Sequence, residues 1–337
     1  MRLLSLFSGI GAFEKALKNT GIQTEIVNYC EIDKYASKAY SAIHGVSESL
    51  NLGDIRTVNA EKLPRDIDLI TYGFPCQDIS NAGKRRGFWD GKGKVTRSGL
   101  FFEAVRIIRH LKPEIAIAEN VKALTGRKFT EEFETVRLEL NEAGYNNYYA
   151  VLNAKDYGIP QNRERVFIVS VRKNADTGSF SFPVRQKLIL KLKDLLEPVT
   201  DEKYFIRNEK AKILIGKIAV KNAKGIAGHV EPLKIMRLGN LYSDNAGGSW
   251  GGNVYDPEGL APVLQTAQGG NRTPIIYKEY AIRKLTPLEY WRLMGFEDTD
   301  FEKAKAEGIS NTQLYKMAGN SICVPVLEAI FRKLYIE

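Results

Sequence analysis

Through the first half of the chain, short apolar runs alternate with amphipathic segments. The runs at Leu3–Phe7, Thr24–Tyr29, Leu69–Tyr72, Ile115–Glu119, Asn147–Asn153 and Val166–Val171 have the length of strands. Between them, Ala12–Thr20, Lys34–His44, Leu100–Leu111 and Thr130–Ala143 repeat apolar residues at helical spacing, and Pro113 follows the third of these. Strands alternating with helices predict an α/β fold, a mostly parallel doubly wound sheet with helices on both faces. From Lys173 to about Ile282 the pattern breaks down into segments rich in Gly, Asn and Lys, which predicts a second, smaller domain. Helical patterning returns at "TPLEYWRLMGF", with Thr286 to cap, Pro287 in the first turn and Gly295 to stop, and again at Val326–Tyr335.

Composition narrows the class. The 337 residues are 44% hydrophobic and 26% charged, an ordinary globular balance with room for two domains. No apolar run approaches the roughly 18 residues of a membrane helix, and the N-terminus lacks the pattern of a signal peptide, so a cytoplasmic protein without membrane association is expected. Cys30, Cys76 and Cys323 are far apart and His44, His110 and His229 form no metal-spaced cluster, so neither a disulfide framework nor a metal site is expected. The net charge of +9 favours a polyanionic partner only weakly. Its distribution says more. Residues 83 to 98 carry six Lys or Arg against one Asp, and residues 203 to 240 carry nine against two Glu. Such stretches are solvated loops or the edges of a phosphate-tracking groove.

The first strand-loop-helix, "LLSLFSGIGAFEKAL", passes through Gly9-Ile10-Gly11, where the backbone can approach a ligand. Glu14 occupies the place where a dinucleotide fingerprint carries a third glycine, and a carboxylate is a poor neighbour for a pyrophosphate. The second strand ends near Glu31, suited to ribose hydroxyls. Asp54 of "LGDI" is placed to meet an exocyclic amine. A Gly-x-Gly is often only a turn, but the three features in this order suggest S-adenosylmethionine.

A lone cysteine is more often structural than nucleophilic. Cys76 sits in "LITYGFPCQDIS", where Pro75 stiffens the backbone, a strand end precedes it and a basic glycine-rich loop follows. Partners for a thiolate lie on other strand ends. Glu119 closes the run "IAIAENV" and could be partly desolvated enough to move a proton. Arg163 and Arg165 of "QNRERVFIV" are two apart, so on an extended chain they point to one side, as a surface pair or as guanidiniums polarising a carbonyl.

Taken in order, "LFSGIGAFEKAL", "CEID", "GDI", "GFPCQDIS", "SGLFFEAVRII", "AENV", "QNRERVFIV", "RKLTPLEYWRLMGF" and "GNSICVPV" closely resemble the DNA (cytosine-5)-methyltransferases of bacterial and phage modification systems over nearly the whole chain. The resemblance implies a Rossmann-like methyltransferase domain over 1–172 and 319–337 and an irregular, β-rich target recognition domain over 173–318. It implies Cys76 as the nucleophile at carbon-6 of cytosine, Glu119 at N3 and the exocyclic amine, and Arg163 and Arg165 near the catalytic centre. Phe7, Gly9, Ile10, Gly11, Glu31, Ile32, Asp54, Ile55, Pro75, Leu100, Asn320 and Ser321 match positions that bind S-adenosyl-L-methionine, with S-adenosyl-L-homocysteine as product. DNA contacts are implied at Gln77, Ser80, Lys84, Arg85, Arg86 and Arg97 in the catalytic loop, and at Gln265, Gly269, Gly270 and Arg272 in the recognition domain. The implied partner is double-stranded DNA, approached by a monomer, with a cognate restriction endonuclease as a further possible partner. One departure is visible: Val263-Leu264 stands where the family often carries Thr-Leu. Three other readings compete. A transfer-RNA cytosine methyltransferase is disfavoured by the basic middle domain and by Pro-Cys-Gln-Asp-Ile-Ser. An inactive DNA-binding relative is disfavoured by the intact Cys76, Glu119, Arg163 and Arg165. An NAD-dependent thiol oxidoreductase is disfavoured by Glu14.

Overall fold

The computed structural model describes residues 1–76, 78–79, 87–90, 95–223, 234–242, 251–269 and 272–337. They separate into two compact units. The first comprises Met1–Leu152, Glu164–Val184 and Val326–Glu337; the second comprises Asn153–Arg163 and Arg185–Pro325. The sequence expectation placed the exchanges at 172/173 and 318/319.

The first unit is built on a six-stranded sheet. Its strands are β1 (Arg2–Leu6), β2 (Glu25–Cys30), β3 (Leu69–Tyr72), β4 (Ile115–Val121), β5 (Tyr145–Asn153) and β6 (Glu164–Arg172), in the order β2-β1-β3-β4-β6-β5. β1 runs parallel to β2 and β3, β3 parallel to β4, and β6 antiparallel to β4. The apolar runs explain the central places: β3 is buried throughout, and β1 everywhere but its first residue. A parallel strand covered by helices on both faces needs continuous rather than alternating hydrophobicity. Helices α1 (Ala12–Asn19), α2 (Lys34–His44), α3 (Phe101–Leu111) and α4 (Thr130–Glu142) cover the sheet. The Asp33 carboxylate caps α2 by accepting from the Tyr35 and Ala36 amides, and Lys112 ends α3 in a left-handed conformation. The C-terminal helix returns to this unit, with Phe331 edge-on to Phe13 at 6.4 Å and the Asn19 amide donating to Glu328.

The second unit holds α5 (Glu209–Ala223), then β7 (Arg237–Asn240), β8 (Asn253–Tyr255), β9 (Ile275–Lys278) and β10 (Ala281–Lys284), in the sheet order β10-β9-β8-β7. Its small core gathers Ala211, Leu241, Val254, Ile275 and Ile282. Helices α6 (Pro287–Arg292), α7 (Asp298–Ala306) and α8 (Asn311–Asn320) follow. Thr286 and Glu289 form a reciprocal capping box at the start of α6, the capping that the sequence predicts. The Glu289 carboxylate is fully buried and takes both terminal nitrogens of Arg283, at 2.6 and 2.8 Å. Among the described residues no helix is long and apolar enough to cross a membrane.

Candidate active site

Strand order decides where ligands can sit. The chain steps from β1 to β2 on one side and to β3 on the other, so the loops leaving β1 and β3 diverge and open a crevice at their C-terminal ends. The loop after β1 is Phe7–Gly11. Phe7 holds φ +53°, a conformation that a bulky residue adopts only where the surroundings impose it. Gly11 holds φ +79°, and a Cβ built there would meet the His44 ring at 2.0 Å. His44 Nε2 in turn lies 3.1 Å from the Ile10 carbonyl, so α2 grips the loop. Glu14 does not face the loop. It is buried, accepts the Tyr40 hydroxyl at 2.9 Å, and burial pushes its carboxyl upward from 4.5.

Beside this loop, the Glu31 carboxylate accepts the Gly9 amide at 2.9 Å and the Asp33 amide at 2.7 Å. Burial pushes this carboxyl up, and those amides oppose the shift. Ile32, next in sequence, leaves 72% of its surface exposed. Ser8 Oγ is buried without a partner among the described residues. A carboxylate, an uncovered apolar side chain and a buried hydroxyl awaiting a partner suit a ligand with hydroxyls and a flat ring. Asp54 is gripped by the Arg56 guanidinium and held below its usual range, while Ile55 lies in the core. Leu100, just ahead of α3, packs against that core, and Pro75 is half-buried. Asn51 is a residue that sequence reasoning missed. Its amide oxygen accepts from Glu31 and Gly53, and its nitrogen donates to the Glu31 carbonyl and Ser37. An asparagine ahead of a Gly-Asp pair is a turn signal, but nothing local points it at Glu31.

The β3 loop carries Cys76. All three cysteines are thiols, yet only Cys76 is half-exposed; Cys30 and Cys323 are buried. Burial pushes the Cys30 thiol up to about 12, which removes it as a nucleophile at neutral pH. Asn120 holds the cysteine loop. It is 2% exposed and donates from Nδ2 to the Phe74 carbonyl at 3.0 Å, two residues before Cys76. On the far side, Ser98 Oγ accepts the Asp78 amide at 3.2 Å.

Glu119 and Arg165 come together through register. Val121 of β4 pairs with Arg165 of β6. Glu119 lies two residues before Val121, hence on the same face and diagonal to Arg165. Arg165 Nε lies 3.0 Å from Glu119 Oε1, and both side chains are largely buried. Because β6 is antiparallel, its first residues lie at the sheet edge where β1, β3 and β4 end. Phe7–Gly11, Cys76, Glu119 and Arg165 therefore share one edge.

Arg163 goes elsewhere. It precedes β6, belongs to the second unit and is 3% exposed. Its guanidinium donates to the carbonyls of Leu264 (3.1 Å), Gly319 (3.1 Å) and Ser321 (2.7 Å). The structure thus does not present the two arginines as the same-sided pair that extended spacing suggests. Asn320 and Ser321 also lie in the second unit, Asn320 exposed and Ser321 buried. There Gln265 is half-buried and Gly269 and Arg272 are exposed, as is Arg97 in the first unit. Gln77, Ser80, Lys84, Arg85, Arg86 and Gly270 lie outside the described residues.

Comparison with known proteins supplies the lineage. The family model described as C-5 cytosine-specific DNA methylase matches residues 1–335. The chain is 35% identical to the orphan methyltransferase M.SPBetaI of Bacillus phage SPbeta, over 99% of this chain and 97% of the relative. It is 33% identical to the type II methyltransferase M.HhaI of Haemophilus parahaemolyticus, over 98% and 93%. Among solved structures, the S. pombe Dnmt2 methyltransferase superposes with a TM-score of 0.70 at 23% identity, covering 99% of this chain and 98% of that one, a likeness of fold. With a sheet edge that gathers a half-exposed cysteine, a paired glutamate and arginine and a glycine loop, and with relatives aligned end to end, the chain belongs to the C-5 cytosine-specific DNA methylase family and is a DNA cytosine-5 methyltransferase.

Proposed function

We propose that the protein transfers a methyl group from S-adenosylmethionine to carbon-5 of a specific cytosine in double-stranded DNA, with Cys76 as the nucleophile. The observation that carries this reading is the single sheet edge holding Cys76, Glu119 and Arg165 beside the loop at Gly9–Gly11. Glu31, Ile32 and Ser8 are the residues that fit the donor's nucleoside, and the donor supplies an electrophilic methyl on its sulfonium.

Each side chain has a part. Cytosine carbon-5 is a poor nucleophile while the ring is aromatic. The Cys76 thiolate adds to carbon-6, forming a C–S bond and shifting the ring electrons towards carbon-5. The Glu119 carboxyl meets N3 and the exocyclic amine, where it offsets the charge of the adduct. Arg165 holds Glu119 in place and offers its remaining donors to the ring carbonyl. Carbon-5 accepts the methyl; it then loses its proton to a base, and the electron pair expels Cys76. The target atoms are inaccessible inside a duplex, so the base must leave the stack, at a cost of a few kcal/mol. Phosphate contacts from the basic segment of residues 83 to 98 and from Arg272 would offset that cost. The second unit serves as the target recognition domain. The orphan and type II titles of the relatives support a role in phage self-protection or in a restriction-modification pair, and we read the enzyme as a monomer acting in the cytoplasm.

Bisulfite sequencing of plasmid from cells expressing the protein is expected to show one fully methylated cytosine within a recurring short motif. An unmethylated plasmid refutes the reading. Duplex carrying 5-fluorocytosine at that target is expected to trap a covalent complex, since fluorine cannot leave as a proton. Trapping that persists in Cys76→Ala reassigns the nucleophile.

A further inference from the structure

Gln161 is fully buried in the second unit, where a polar side chain without bonds would cost about 1–3 kcal/mol. Its amide is satisfied at both ends. Oε1 accepts the Leu264 amide at 3.1 Å and Nε2 donates to the Leu293 carbonyl at 2.8 Å. Leu264 is therefore held twice: its N–H by Gln161, its carbonyl by Arg163. Main-chain bonds lead into this pairing, with Ala261 N donating to the Pro160 carbonyl and Asn162 N to the Ala261 carbonyl. Opposite, a Cβ on Gly319 would fall 2.4 Å from the Gln265 oxygen, so α8 touches the 265–266 peptide directly. Just beyond, Ala267 sits at φ +52°, strained for a residue with a side chain and sustained only by its surroundings. The segment so held borders a groove lined by Tyr255, Val263, Gln265, Arg272 and Thr273. An amide, a guanidinium and a hydroxyl are the groups that read base edges and phosphates.

We propose that Gln161 and Arg163 are positioning residues for target recognition: they hold the Leu264 peptide from both sides and so set how Gln265 is presented to DNA. This rests on the reading of the second unit as the recognition domain. The motif "QNRER" then divides its labour, since Gln161 and Arg163 serve recognition while Arg165 serves Glu119. It also gives Val263-Leu264 a place: the Leu264 backbone is held at its N–H and at its carbonyl, and its side chain is buried.

The test uses the full chain. The bisulfite experiment on the wild-type enzyme first defines the target; no methylation overturns the functional reading and this inference with it. Gln161→Leu removes both amide bonds, Arg163→Lys keeps the charge but not the three-way fan, and Gly319→Ala pushes on the same peptide while leaving both side chains intact. Each is expected to raise KM for the target duplex on the order of tenfold while kcat falls by less than about threefold. Discrimination against a duplex with one wrong base pair is expected to shrink on the order of tenfold, and 5-fluorocytosine trapping should persist. Loss of kcat with KM and discrimination unchanged, or wild-type behaviour of Arg163→Lys, overturns the proposal while the wild-type result leaves the functional reading standing. Should Gln161→Leu or Gly319→Ala fail to fold by circular dichroism, Arg163→Lys carries the same test, because it keeps the buried positive charge and a donor at that place.

Discussion

Cys76 differs from Cys30 and Cys323 in exposure rather than in kind, and exposure is what a nucleophile needs. Its neighbours are held by short, specific bonds: Phe74 by Asn120, Asp78 by Ser98. Asn120→Ala would free the loop without touching the thiol. The expected outcome is a fall in kcat on the order of tenfold with donor binding retained, measured by steady-state methylation and calorimetry with S-adenosylmethionine. Glu119→Gln keeps size and polarity but removes the carboxyl proton chemistry and the ion pair with Arg165. Methyl transfer is expected to drop by roughly 10²–10⁴-fold. A drop below about threefold would remove Glu119 from the chemistry. Residue-scale reading of the sequence named Cys76, Glu119 and Arg165 from their strand ends, but it paired Arg163 with Arg165 by spacing alone. Two residues apart is the same face only where both lie on the strand, and β6 begins at Glu164.

Among the elements, the β1 loop and α1 act together because Gly11 is both the cap of the helix and the point of contact with α2. Gly11→Ala adds a Cβ at positive φ and against the His44 ring, which is itself engaged with Ile10 and tilted on Tyr40 at 4.7 Å. The expected loss of stability is about 1–3 kcal/mol, read from urea unfolding, with weaker donor binding alongside. Periodicity located β1, α1, α2, β3, α3 and β4 to within a residue or two. It missed α5, whose lysines and Gly216 blur the apolar face, and α7 and α8, which are rich in polar residues. The strands β7 to β10 span only three or four residues each, too few for an alternation to show.

For the molecule as a whole, two buried carboxylates are solved in opposite ways. Glu289 is fully paired with Arg283, so Glu289→Gln or Arg283→Met alone strands a partner and is expected to destabilise the second unit by about 3–5 kcal/mol. In the first unit burial instead pushes the Glu14 carboxyl upward, disfavouring its ionised form. Its folded value is raised, so the stability that its neutral form provides is complete below 4.5. That stability fades as pH rises, because the unfolded chain ionises first. Glu14→Gln keeps an acceptor for Tyr40 and cannot ionise. The urea midpoint of Glu14→Gln minus that of the wild type is expected to grow as pH climbs from 4.5; a constant difference would contradict the upward shift of the Glu14 carboxyl.

By itself the sequence determined the alternation of strands and helices, the loops that end them, and a motif order that identifies the family. Those features are local, written in periodicity, turn residues and spacing, and they survive any arrangement of the elements. Tertiary structure alone decided which strand ends share an edge, because strand order and the antiparallel sense of β6 come from packing over long separations. It also decided that Arg165 turns to Glu119 while Arg163 turns to three backbone carbonyls. A guanidinium satisfies itself with whatever acceptors the fold brings near, and no spacing along the chain carries that information.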